Sequence, residues 1–369
     1  MRNAMSGGMA RGLLVTLAVF VAVAPIGGGD ARAQAPPKLK VGVLHLGSIN
    51  DAGYNQAHAE GVQIMKRNLP DVEVIEVENV PEGADAERVM ENMIKQGAKL
   101  IIAASFGYLE PALRVAQKYP DVKFVHPGGY KRAPNLTTYW ASTPEAFYLM
   151  GMAAGATTRT NKLGYVVALP ISFFLANVNA FELGARSVNP KAETRVVFTG
   201  GFMDPAKEAT AANALLEQGV DVLGVIVDSP ITVVQAAEKR NAYSVGYHYI
   251  GAQKFAPKGW VSGIAFTWGN LYTRFAKQVM DGTFKSEDIL GGLGDDFLTI
   301  APFGPGVPPD AIKAINAKKQ EFIGGKAQVF QGPLKDNKGV ERVKAGESFP
   351  LTDLRKMDWL VEGVIGQPK

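Results

Sequence analysis

Short runs that are apolar at nearly every position alternate along this chain with longer runs that are apolar only at every third or fourth. LKVGVLHL (39–46), VEVIEV (72–77), KLIIAAS (99–105) and VKFVHP (122–127) are of the first kind. Between them lie GYNQAHAEGVQIMKRN, DAERVMENMIKQG and GYLEPALRVAQKY, of which the second carries Val89, Met93 and Ile94 at helical spacing. The rhythm resumes with KLGYVVALP, RVVFTG, VLGVIVD and YSVGYHY as strands, and helices over ANVNAFELGARSV, PAKEATAANALLEQG and PITVVQAAEKRN. Strands alternating with helices of such length predict parallel sheets built from right-handed crossovers. The pattern falls into two similar blocks, roughly 38–140 and 160–265. It predicts an α/β chain of two doubly wound, Rossmann-like lobes with a hinge. One lobe comprises 38–142 plus about 268–297, the other 143–267 plus about 298–369. TTYWASTPEAFYLMGMAAGATTRTN and SGIAFTWGNLYTRFAKQVMDG are read as the tight connections between them, and the stretch beyond about Asp295 as short helices and a meandering tail.

In open α/β sheets, ligands bind beyond the carboxyl ends of the strands. The polar loops fall at those ends: GSINDAGYN, SFGY, GGFMDP and DSP. They carry recurring aromatic residues: Tyr54, Phe106, Phe173 or Phe174, Phe202, Tyr247 and, further on, Trp268. Asn50, Asp51, Asn55, Ser105, Asn179 and Asp228 accompany them. Such a set suits a flat heterocycle, stacked between rings and paired along its edge by amides and carboxyls. Asn50 or Asp51 is equally suited to cap the first helix; one caps and the other is left to face the cleft.

The first residues change the compartment. Arg2 and Arg11 precede an apolar stretch from Leu13 to Ala24, and small residues follow. This is the pattern of a signal peptide over 1–35, cleaved after Ala33 or Ala35. Cleavage after Ala35 leaves 369 − 35 = 334 residues and removes three arginines and one aspartate, so the formal charge falls from +4 to +2. With scattered basic residues, that balance gives no nucleic-acid face. The chain has no cysteine, hence no disulfide, thiolate nucleophile or lipid-bearing cysteine. A soluble, monomeric periplasmic protein is expected.

Reactive constellations are missing from the sequence. There is no GxSxG and no HExxH, and the four histidines, His45, His58, His126 and His248, show no metal-ligand spacing. His45 and His58 are read as packing or surface groups, and GGLGDD (291–296) as a turn. No catalytic residue, metal or cofactor is expected.

Three segments in order carry a family likeness: GSINDAGYNQAHAEG (47–61), KLIIAASFGYLEPALRVAQKYPDVKF (99–124) and TGGFMDPAKEATAANALLEQGVDVL (199–223). On these the chain resembles the basic membrane protein family of ABC-transporter substrate-binding proteins, which includes purine nucleoside receptors. The resemblance implies a type I periplasmic binding protein that closes on a purine-type ligand and delivers it to an ABC permease and ATPase complex. It implies that Asn50, Asp51 and Tyr54 contact the base, that Phe106 and Phe202 stack near it, and that Asp228 lies in or beside the site. Nucleoside receptors of the family have an aspartate-rich stretch after the glycine matching Gly246 and a lysine near the position of Trp268. Here those stretches read VGYHYIGAQ and AFTWGNLY, bringing His248 and Trp268 into those places. An indole is a poor clamp for ribose hydroxyls, so a free base such as adenine is expected rather than a nucleoside. The alternatives are a nucleoside-binding protein of the same type and a periplasmic receptor feeding a sensor kinase.

Overall fold

The computed structural model describes residues 39–368; the expected signal peptide lies outside them. The first half runs β1 (Leu39–His45), α1 (Tyr54–Asn68), β2 (Val72–Val77), α2 (Ala84–Lys95), β3 (Leu100–Ala104), α3 (Leu109–Lys118), β4 (Lys123–Pro127) and β5 (Leu136–Ala141). The second runs α4 (Pro144–Thr157), β6 (Lys162–Val167), α5 (Ser172–Val188), β7 (Glu193–Phe198), α6 (Pro205–Glu217), β8 (Val222–Ile226), α7 (Ile231–Lys239), β9 (Tyr243–His248) and β10 (Trp260–Phe266). Then come α8 (Gly269–Met280), β11 (Asp288–Gly291), β12 (Leu298–Ile300), α9 (Pro309–Ile323), β13 (Leu334–Lys335), β14 (Glu341–Val343) and β15 (Val364–Ile365).

The strands form two main sheets whose internal order repeats. The first reads β11-β5-β4-β3-β1-β2 and the second β12-β10-β9-β8-β6-β7-β15. Each is a doubly wound sheet in which strand order reverses beside its first strand, between β1 and β3 and again between β6 and β8. The central strands read as apolar runs because both faces are covered: all five residues of β3 and of β8 are buried. Helix α1 packs on α8, and α4 lies against α5 and α9. Nearly every side of α4 is buried, which is why its sequence lacks an amphipathic stripe.

Two readings of the sequence need correction. TTYWA, taken as connection, is strand β5; its threonines are buried because Thr137 and Thr138 donate to the Lys285 carbonyl and to Asp288, on the segment that adds β11 to this sheet. The region after Asp295 holds a longer helix than expected, the 15-residue α9, besides a short helix over Leu351–Lys356 in the meandering tail. Beyond it the chain returns to the second sheet, where β15 pairs in parallel with β7. GGLGDD forms a turn between β11 and β12.

Candidate functional site

The carboxyl ends of both sheets contribute to one slot with a cavity volume of about 50 Å³. From the first sheet come Leu46 and Tyr54 after β1, Ser105 and Phe106 after β3, Gly128 after β4, and Trp140 of β5. From the second come Ile171, Phe173 and Phe174 after β6, Phe202 after β7, Ile226, Val227 and Asp228 at the end of β8, and Tyr247 and His248 of β9. Both points of strand-order reversal therefore open on the same space. At roughly 10–15 Å³ for each water-sized occupant, the enclosed part of the slot has room for a few such occupants.

Its walls are aromatic. Trp140 and Phe173 meet at 6.0 Å between ring centres, Phe174 and Phe202 stand edge to face at 6.3 Å, and Tyr54 stands edge-on to His248 at 5.2 Å. A larger cavity of about 300 Å³ adjoins it, sharing Trp140 and Phe173 and reaching Ser142, Asp288 and Arg355.

Polar groups are few and unusual. Asp228 is buried, and the pKa of its carboxyl is raised well above the usual carboxylate range. Loss of water is the main cause, and the negative Asp51, Glu208 and Glu82 add to it. His248 is held neutral, its pKa pushed down to about 3 by burial. Its backbone is left-handed (φ 71°), a conformation that costs a non-glycine residue about 1–3 kcal/mol and recurs at functional sites. The Nδ1 of His248 and the hydroxyl of Tyr247 are buried without a hydrogen-bond partner. Most buried polar atoms in native proteins have a hydrogen-bond partner.

Of the residues expected from sequence, Tyr54, Ser105, Phe106, Phe174, Phe202, Asp228, Tyr247 and His248 are brought together around the slot. Five are elsewhere. Asn50 is exposed. Asp51 is the helix cap: Oδ1 accepts from the amides of Gly53 (2.8 Å) and Gln56 (3.0 Å), and Oδ2 from the amide of Asn55 (3.0 Å) and its side chain (2.8 Å). Asn55 is fully buried between Asp51 and the Gly47 amide, which it accepts at 3.1 Å. Asn179 clamps the C-terminal segment, donating to the Trp359 carbonyl (2.9 Å) and accepting from the Val361 amide (2.8 Å). Trp268 is buried one layer back, stacked between His58 (5.5 Å) and Phe266 (4.9 Å). The division of labour expected of Asn50 and Asp51 thus fails, because the residue that does not cap points to solvent.

Sequence reasoning missed Leu46, Gly128, Trp140, Ile171, Ile226 and Val227. Their one legible signal is position, since most sit at or just beyond the end of a strand beside a strand-order reversal. His45 and His58 are buried packing groups, His45 paired with Glu76 at 2.8 Å and His58 with the Tyr272 hydroxyl.

The sequence model of the PnrA-like ABC transporter substrate-binding proteins matches residues 38–338. A purine-binding protein of Brucella abortus is 38% identical over 338 residues, covering 91% of this chain and 95% of that protein. A putative ABC transporter glucose-binding protein of Haloferax volcanii is 29% identical, covering 92% and 83%. Among solved structures, an ABC transporter solute-binding protein from Conexibacter woesei superposes with a TM-score of 0.66 at 25% identity, covering 79% of this chain and 98% of that one.

Proposed function

The chain belongs to the PnrA-like family of ABC transporter substrate-binding proteins, and from that premise we propose that it closes over a free purine base, adenine foremost. It is exported by a signal peptide cleaved near Ala33 or Ala35, and as a periplasmic monomer it delivers the base to a membrane permease and its ATPase. One lobe comprises 38–142 plus about 268–297, and the other 143–267 plus about 298–369.

The observation that carries the reading is the buried carboxyl of Asp228 in an aromatic slot, its pKa raised by loss of water. A protonated carboxyl offers one donor and one acceptor side by side. Adenine presents a matching acceptor and donor at N7 and its amino group, whereas guanine presents two acceptors at N7 and O6. The unpartnered His248 Nδ1 and Tyr247 hydroxyl stand ready for the remaining ring edge. Phe174, Phe202 and Tyr54 supply faces and edges for the ring, each contact contributing about 0.5–1.5 kcal/mol beyond area burial. The Brucella abortus relative, a purine-binding protein by name, supports the ligand class.

Uptake at low external concentration requires micromolar or tighter binding, about −8 kcal/mol. Calorimetric titration with adenine, guanine, hypoxanthine, adenosine, inosine and glucose tests the proposal. Adenine should bind at micromolar concentration or below, ahead of guanine and both nucleosides. Binding of adenosine or glucose with no heat from adenine would overturn it.

A further inference from the structure

The loops after β1 and β8 come from different sheets and touch through their backbones. The Tyr54 amide donates to the Asp228 carbonyl at 2.8 Å, and the Ser229 hydroxyl donates to the Asp51 carbonyl at 2.8 Å. Gly53 makes this approach possible. A Cβ at that position would stand 1.8 Å from the Asp228 oxygen and 2.9 Å from Pro230, far inside van der Waals contact. Nearby, a Cβ on Gly47 would stand 2.9 Å from the tip of Met203, which follows β7.

We propose that Gly53, Asp228 and Ser229 form a latch that holds the two lobes shut, with Gly53 as the positioning residue. Helix α1 has its second and third turn-forming amides capped by Asp51, but the amide of Tyr54 finds its acceptor only across the cleft. The shut state thus completes the cap of a helix that the parted lobes leave one acceptor short. Because the Asp228 carboxyl lines the slot while its carbonyl makes the latch, ligand contact and closure run through one residue. A ligand that fixes the 226–230 loop favours the latched state by its differential contact with it. The latch stands on backbone geometry and does not depend on which ligand fills the slot.

The Gly53→Ala variant tests it, measured beside wild type with and without adenine. Amide hydrogen exchange at Tyr54 should be at least about tenfold faster in G53A in whichever sample the wild type protects it, and small-angle scattering should show a larger radius of gyration. Adenine affinity should fall about 100-fold. Ser229→Ala removes one contact without adding bulk and should move each readout the same way by a few fold, so it carries the test if G53A does not fold. Unchanged Tyr54 exchange in both variants would overturn the latch. Failure of adenine to bind wild type would strike the ligand assignment alone, because the exchange measurement needs no ligand.

Discussion

Two loops at the mouth of the slot make opposite use of their polar residues. The loop after β1, GSINDAGYN, is the most polar in the molecule's cleft, and nearly all of its chemistry is turned inward. Asp51 satisfies three backbone amides and the Asn55 side chain, Gln56 accepts from the Ala52 amide at 3.0 Å, and Asn55 holds Gly47. The loop after β8 is four residues, VDSP, and it puts one carboxyl into the slot. A helix that starts directly at a cleft needs acceptors for its first amides, so density of polar residues at such a junction signals capping before it signals recognition. The residue available to a ligand is the one whose own loop makes no demand on it.

The largest effect should come from the second loop. Asp228→Ala removes both the donor and the acceptor from the slot and should weaken adenine binding by about 100-fold or more, roughly 3 kcal/mol, as read by calorimetry. Asp228→Asn separates charge from shape, since an amide also offers one donor and one acceptor. In wild type the carboxyl has a raised pKa, so its neutral form is present below that raised value and is lost as pH rises through it. Adenine affinity should therefore fall on the alkaline side in wild type and stay level in D228N. A pH-independent wild-type affinity would remove the protonated carboxyl from the account.

The first loop should show its effect in stability. Asp51→Ala leaves the amides of Gly53, Asn55 and Gln56 without their acceptor at the start of α1. Loss of a capping acceptor costs about 0.5–2 kcal/mol, and further buried donors left unpaired add to it, so about 2–4 kcal/mol is expected in denaturant unfolding. The ranking of ligands should not change. If D51A instead altered the preference between adenine and guanine at wild-type stability, the contrast between the loops would be reversed.

The strands and helices were legible because runs apolar at nearly every position alternate locally with runs apolar at every third or fourth, and Val72–Val77 is a strand in the sequence pattern and in the structure alike. The aromatic side of the site was legible for the same reason: Tyr54, Phe106, Phe174 and Phe202 each follow a strand end that the pattern marks. What stayed hidden depends on partners far away in the chain. Nothing near Asn179 announces that residues 359 and 361 will come back to occupy its amide. Trp268 sits close to a strand end like the others, yet α8 returns to α1 and carries it behind the slot, against His58. Trp140 was concealed by threonines that look solvated until the Lys285–Asp288 segment supplies their acceptors.

The smallest expected effect is also the one that separates the two loops most sharply. Asn50 is the residue that a reading by composition places against the base, since it has both a donor and an acceptor and lies four positions before Tyr54. In the structure it is exposed, and its backbone amide donates to the Ser48 hydroxyl at 3.2 Å. Replacing its side chain removes neither the Asp51 cap of α1 nor a group that lines the slot. Asn50→Ala should therefore leave unfolding free energy within about 0.5 kcal/mol of wild type and adenine affinity unchanged in the same titration. A tenfold loss of affinity in N50A would mean that this loop reaches the ligand after all, and Asp228 would no longer be the main residue that reads the base.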